Sequence, residues 1–182
     1  MIDLRNEGLP KTINVSGNSF NIKTDFREWI KFGKLLENNC TYNDLKYLLE
    51  ETDYIFDFDE LNEMLLQFKE FYVNENSTPN VIGGSHEKLI DYVEDGEFIY
   101  ASFLQAYGID LVDAKMHWHK FKALLISLPG DTKMAQIMQH RGYEESNKST
   151  KQEYKELKEM WKFKSEIDEE LKEELNELFY NS

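Results

Sequence analysis

The chain has one cysteine, Cys40, so it cannot form an intramolecular disulfide. A lone thiol fits a reducing compartment, where structural disulfides are rare. No stretch approaches the roughly 20 consecutive apolar residues of a membrane-spanning helix. The first residues also lack the basic-then-apolar pattern of a secretory signal. The expectation is a protein that stays in the compartment where it is made. Basic residues are scarce as well. There are 21 Lys and Arg against 35 Asp and Glu, giving a formal net charge of −14. Phosphate backbones and anionic membrane surfaces are bound through Lys and Arg, so this balance argues against both partners. It favours solubility, or a partner with basic or exposed apolar surface. No internal repeat is visible, and low complexity is confined to one linker.

The patterns that carry chemistry are missing too. His117 and His119 are two residues apart, which on a helix puts them on nearly opposite sides, and the i, i+4 spacing of zinc helices is absent. His86 and His140 lie on other segments. The acidic clusters Asp57–Glu60 and Glu94–Glu97 lack the alternating ligands of a calcium loop, and they suit helix starts, where negative charge is favoured. Gly83-Gly84-Ser85-His86 has neither the P-loop ending nor the dinucleotide spacing. Cys40 sits at a helix end, where the dipole disfavours a thiolate. No catalytic residue, metal ligand or cofactor site is expected.

What the chain does have is helical periodicity and aromatics, the latter at 14%. Thr12–Val15 and Ser19–Ile22 alternate polar and apolar around Ser16-Gly17-Asn18, which predicts a β-hairpin. Asp25 and Glu28 have capping-box spacing and start a helix with Phe26, Trp29, Ile30, Gly33 and Leu36 on one face. Gly33 costs about 1 kcal/mol in a helix interior, and its use would be to admit the hairpin or another helix. A short helix begins near Thr41, with Leu45, Leu48 and Leu49 inward. Another begins near Asp57–Asp59, carrying Leu61, Met64, Leu65, Phe68 and Tyr72 inward.

The richest apolar stretch, Asp91 to Leu128, reads as two helices. The first starts at Asp95-Gly96, turns Phe98, Ile99, Ala101, Phe103, Ala106 and Tyr107 inward, and ends at Gly108 in a left-handed cap. The second, capped by Asp113, carries Trp118, Phe121, Leu124, Leu125 and Leu128, and Pro129-Gly130 stops it. Asp131 caps a short helix with Met134, Ile137 and Met138. From Thr150 to Tyr180 one long charged helix, or two in line, is predicted. Tyr154, Leu157, Trp161, Leu171, Leu175 and Leu178 occupy heptad positions a and d, with a break in the middle. This stripe docks in cis or takes a partner into its groove. The fold class is mainly α: a multi-helix bundle with a short N-terminal β-hairpin and a long C-terminal helix. The regions are 1–73 (hairpin and helices), 74–87 (linker), 88–143 (central helices) and 144–182 (charged helix).

Several of these segments resemble one family. Leu9-Pro10, the hairpin, and Ile22-Lys23-Thr24-Asp25-Phe26-Arg27 are similar to the N-termini of tail-assembly chaperones of long-tailed phages. Phe98 to Leu111 and His117 to Leu125 resemble the central signature of one such family, found in phages and prophages of Gram-positive bacteria. Asp131–Met134 and Ile137–Arg141 continue the likeness. A second tryptophan is usual in the family where His119 stands. The resemblance covers Leu9 to Arg141 and makes Asp25, Phe26, Phe103, Tyr107, Gly108, Trp118 and Phe121 structural signature residues.

The resemblance implies a non-enzymatic protein of the host bacterial cytoplasm, encoded between the major tail protein and the tape measure. Its partners would be the tape measure protein, which it keeps soluble, and the tail-tube protein, which it recruits. It would be absent from the mature virion, and self-association is left open. Nucleic acid and membrane are not expected partners. The alternatives are a structural head–tail or tail component, and an acidic DNA-mimic inhibitor.

Overall fold

The computed structural model describes residues 5, 7–38, 41–73, 88–142, 151–164, 166 and 168. The elements are β1 (Thr12–Val15), β2 (Asn18–Asn21), α1 (Phe26–Glu37), α2 (Tyr42–Leu45) with a 3-10 turn at Lys46–Leu48, α3 (Phe58–Val73), α4 (Gly96–Tyr107), α5 (Trp118–Ile126), α6 (Lys133–Arg141) and α7 (Lys151–Met160). The fold is mainly helical with an N-terminal antiparallel hairpin. The chain divides into two compact units: residues 1–80 with 113–127, and residues 81–112 with 128–182. The region 88–143 is therefore shared between the units, because α5 joins the N-terminal elements. The linker 74–87 and Cys40 lie outside the described residues.

In the first unit the hairpin turns through Ser16 and Gly17, at φ 48° and 80°. Both values are positive, as a two-residue type I′ turn requires. Ile13 and Val15 are buried while Thr12 and Asn14 are exposed, so β1 lays one face on α3. The Ser16 N–H donates to Glu63 Oε2 of α3 at 2.8 Å. Ile22 then pairs with Leu49, which ties the hairpin to the 3-10 turn. Asp25 caps α1 as expected, accepting from the Arg27 N–H at 3.1 Å. The capping box does not close there, because the Glu28 carboxylate bonds Lys31 instead. The reciprocal box forms at Asp57 and Glu60, where each side chain accepts the other's N–H at 2.9 and 3.0 Å.

The core of this unit is aromatic. Trp29 packs edge-on to Phe32 and Phe68 and tilts onto Phe71. Each such pair adds about 0.5–1.5 kcal/mol beyond its buried area. Phe32 and Phe71 are buried too; both lie at helical spacing from Trp29 and Phe68, though the faces drawn from the sequence leave them out. Gly33 does admit another helix. A Cβ there would lie 2.4 Å from the Tyr72 hydroxyl of α3. The Tyr72 ring stacks on Trp118 at 5.2 Å and meets Phe32 edge-on, so it has little room to retreat.

In the second unit α4 packs on α6, and α6 on α7. Gly108 ends α4 at φ 64°, with its N–H on Leu104 O and the Ile109 N–H on Phe103 O. This is the expected left-handed cap. On the inward face Ser102 replaces Ala101. Ser102 is buried and Ala101 exposed, because the Ser102 hydroxyl accepts the Met134 N–H at 3.1 Å. That bond caps α6 from a neighbouring helix. Asp131 does not cap α6; the N-cap is Thr132, whose hydroxyl donates to Pro129 O instead.

The long C-terminal helix is not seen among the described residues. Helix α7 ends at Met160, Trp161 to Phe163 are not helical, and Lys164, Glu166 and Asp168 are helical again. The break falls where the heptad slips, because Phe163 is drawn into the core of this unit.

Candidate functional site

The Ile22–Arg27 signature forms a joint within the first unit. The Lys23 carbonyl accepts the Trp29 indole N–H at 2.8 Å. The Thr24 carbonyl accepts the Trp118 N–H at 2.8 Å, and the Phe26 N–H donates to Met116 O at 2.9 Å. Asp25 and His117 thus form an antiparallel bridge. The Phe26 ring stacks on Phe121 at 4.5 Å. The Arg27 guanidinium holds Asp25 at 3.1 Å and Ala114 O at 3.0 Å. Every residue of the motif except the buried Ile22 therefore bonds α1 or the entrance to α5.

His117, not Asp113, is the N-cap of α5. Its Nδ1 accepts the His119 N–H at 3.1 Å, and its Nε2 meets Pro10 O at 2.8 Å. Those two bonds require the neutral tautomer with hydrogen on Nε2. Burial pushes the His117 pKa down, in keeping with that tautomer. The Pro10 contact also anchors the residues just before the hairpin. The cap position has extended backbone, so the two histidine rings lie 5.1 Å apart and not on opposite sides as a continuous helix would set them.

Three donors on α5 close the C-terminus of α3. Trp118 Nε1 donates to Tyr72 O at 3.0 Å, and His119 Nε2 to Phe71 O at 2.9 Å. Lys122 Nζ donates to Tyr72 O at 2.9 Å and also to Val73 O. The last carbonyls of a helix have no intrahelical donor and carry the negative end of its dipole, so this set fits its place. Burial lowers the His119 pKa to about 4 and that of Lys122 to about 8. At neutral pH His119 is a neutral donor and Lys122 is mostly a cation.

The second unit is built around Arg141. Its guanidinium makes a buried two-armed pair with Asp95, at 2.6 and 2.9 Å. It also donates to Leu89 O at 3.1 Å and Trp161 O at 2.7 Å, and lies 3.8 Å over the Phe163 ring. Asp95 in turn accepts the Asp91 N–H at 2.9 Å. Sequence reasoning missed this hub, since nothing local marks a pair separated by 46 positions.

The remaining signature residues pack. Phe103 is buried and meets Tyr107 edge-on at 5.6 Å. Of the proposed partner stripe, Tyr154, Leu157 and Trp161 are half-buried. Trp161 meets Phe98 edge-on, and Lys133 lies over its ring. Leu171, Leu175 and Leu178 lie outside the described residues. Among the described residues no group of three or more His, Cys, Asp or Glu could hold a metal ion. None of their helices is long and apolar enough to cross a membrane.

A helical protein in two units, with its charged and aromatic signature residues spent on caps, joints and core, is the class this geometry defines. The chain belongs to the bacteriophage Gp15 protein family, whose model matches residues 5–165. It is thus a bacteriophage protein. Comparisons with curated proteins and with solved structures gave no match.

Proposed function

We propose that this protein is a non-enzymatic tail-assembly chaperone that binds the tape measure protein, helps recruit tail-tube subunits and is absent from the finished virion. The observation that carries the reading is family membership across residues 5–165, a range that includes every segment of the tail-chaperone resemblance. The geometry is consistent with it. His117, His119 and Arg141, the side chains best suited to chemistry, are engaged with backbone carbonyls or a buried carboxylate. Acidity supplies solubility, and the host cytoplasm is the place of action.

Co-expression with the tape measure tests the proposal. The expected result is more soluble tape measure when this protein is present, with the two recovered together. No gain in soluble tape measure would refute the simplest form of the reading. Mass spectrometry of purified particles checks the last clause. Stoichiometric amounts of this protein in virions would make it a structural component instead.

A further inference from the structure

Among the described residues, the segment from Glu50 to Leu66 leaves apolar side chains exposed beside carboxylates that no Lys or Arg pairs. Ile55 is 89% exposed, Phe58 69% and Leu66 64%. Ile55 points outward because Tyr54 and Phe56 on either side turn to Phe20 of the hairpin, at 5.2 and 5.0 Å. Between Lys46 and Lys69 there is no Lys or Arg, while seven carboxylates fall between Glu50 and Glu63. Some carboxylates elsewhere take cations, as Asp25 has Arg27, Glu28 has Lys31 and Asp95 has Arg141, while others, such as Asp44 and Asp110, bond neutral donors. Here the bonds formed go to neutral donors, as with Glu60 to the Tyr54 hydroxyl at 2.6 Å and the Asp57 N–H at 3.0 Å. Glu51, Asp53 and Asp59 are exposed.

Exposed apolar side chains at the start of a helix cost solubility unless a partner covers them. A rim of carboxylates without counter-charges selects what that partner is. We propose that Ile55, Phe58 and Leu66, with the carboxylates around them, form a docking surface for a basic amphipathic helix of another protein. The helix would set its apolar side chains on these three residues and its Lys and Arg over the acidic rim, the usual helix-on-surface mode of recognition. That the helix belongs to the tape measure rests on the chaperone reading; the surface and its chemistry do not.

The direct test uses a synthetic amphipathic peptide of about 20 residues, long enough to hold a helix, with leucines on one face and lysines on the other. Binding to the full-length protein is followed by fluorescence anisotropy. Binding should weaken as salt rises, since exposed charges are screened. Ile55→Ser with Phe58→Ser should weaken it by roughly tenfold or more, and Val112→Ser, an exposed site in the other unit, should not. Glu51→Gln with Asp53→Asn touches only exposed carboxylates outside the helices and should reduce the salt dependence. Equal binding by wild type and the Ile55/Phe58 variant, or equal binding of a peptide with glutamates in place of lysines, overturns the surface. In co-expression, tape measure solubilised equally by that variant would remove the tape measure as the occupant of this surface and keep the chaperone. A peptide bound at the patch, with no tape measure solubilised, would keep the surface and remove that client.

Discussion

Asp25 and His117 are the N-caps of two helices, α1 and α5, and they pair with each other as an antiparallel bridge. A helix starts with N–H groups that have no partner inside it. Here the first N–H of each helix goes to a carbonyl at the entrance of the other, Phe26 to Met116 and Trp118 to Thr24. The starts of two helices far apart in sequence are thereby fixed by one contact.

Asp25→Ala removes the acceptor for the Arg27 N–H and the anchor of the Arg27 guanidinium. Loss of an N-cap costs about 0.5–2 kcal/mol. Denaturant unfolding should show a loss in that range, and Asp25→Asn, which keeps a cap oxygen, a smaller one. Equal losses would mean that the ion pair with Arg27, and not the cap, carries the stabilisation.

Trp118 is buried, stacks on Tyr72 and donates its indole N–H to Tyr72 O. Trp118→Ala should destabilise by about 3–5 kcal/mol. A variant with unchanged thermal stability that no longer binds the client would make this tryptophan a contact residue.

Gly33→Ala places a methyl against the Tyr72 hydroxyl, and Trp118 and Phe32 limit how far that ring can move. Overpacking of this kind costs about 1–3 kcal/mol. Tyr72→Phe removes the nearest atom, so the double variant should recover part of the loss. A double-mutant cycle measures the coupling, and simple additivity would show that the two side chains do not meet.

His119 has its pKa lowered by burial to about 4. The unfolded chain, with an ordinary histidine near 6.5, binds a proton more readily than the folded one between those values. The contribution is therefore present in full above pH 6.5 and is lost as pH falls towards and through 4, in all about 3 kcal/mol. Carboxylates titrate in the same window, so the comparison is with His119→Gln, which keeps a donor for Phe71 O but does not titrate. The wild type should lose more stability than the variant between pH 7 and pH 4.5. Parallel curves would count against a buried neutral His119.

Arg141→Met leaves the Asp95 carboxylate buried without its cation. Breaking such a pair from one side costs about 3–5 kcal/mol, whereas replacing both partners by apolar residues can be nearly neutral. The Arg141→Met, Asp95→Leu double variant should accordingly be more stable than Arg141→Met. Since Arg141 also holds Trp161 O and the Phe163 ring, both variants should loosen residues 161–163, read as faster amide exchange there.

Local features were legible in the sequence because local chemistry sets them. The hairpin follows from alternation and a turn that tolerates positive φ, the start of α1 from Asp25, the end of α4 from Gly108, and most of the inward faces of α1, α3 and α5 from helical spacing. Gly33 even announced a close approach. Tertiary structure decided which elements meet. It turned His117 into a cap and brought its ring beside His119, spent Trp118, His119 and Lys122 on the end of α3, and buried Arg141 against Asp95. It also ended α7 at Met160 and buried Phe163 just beyond the break. Spacing along one element predicts a helix or a turn, where partners lie within a few residues. The partner of a donor dozens of positions away is chosen by packing, and periodicity carries no record of it.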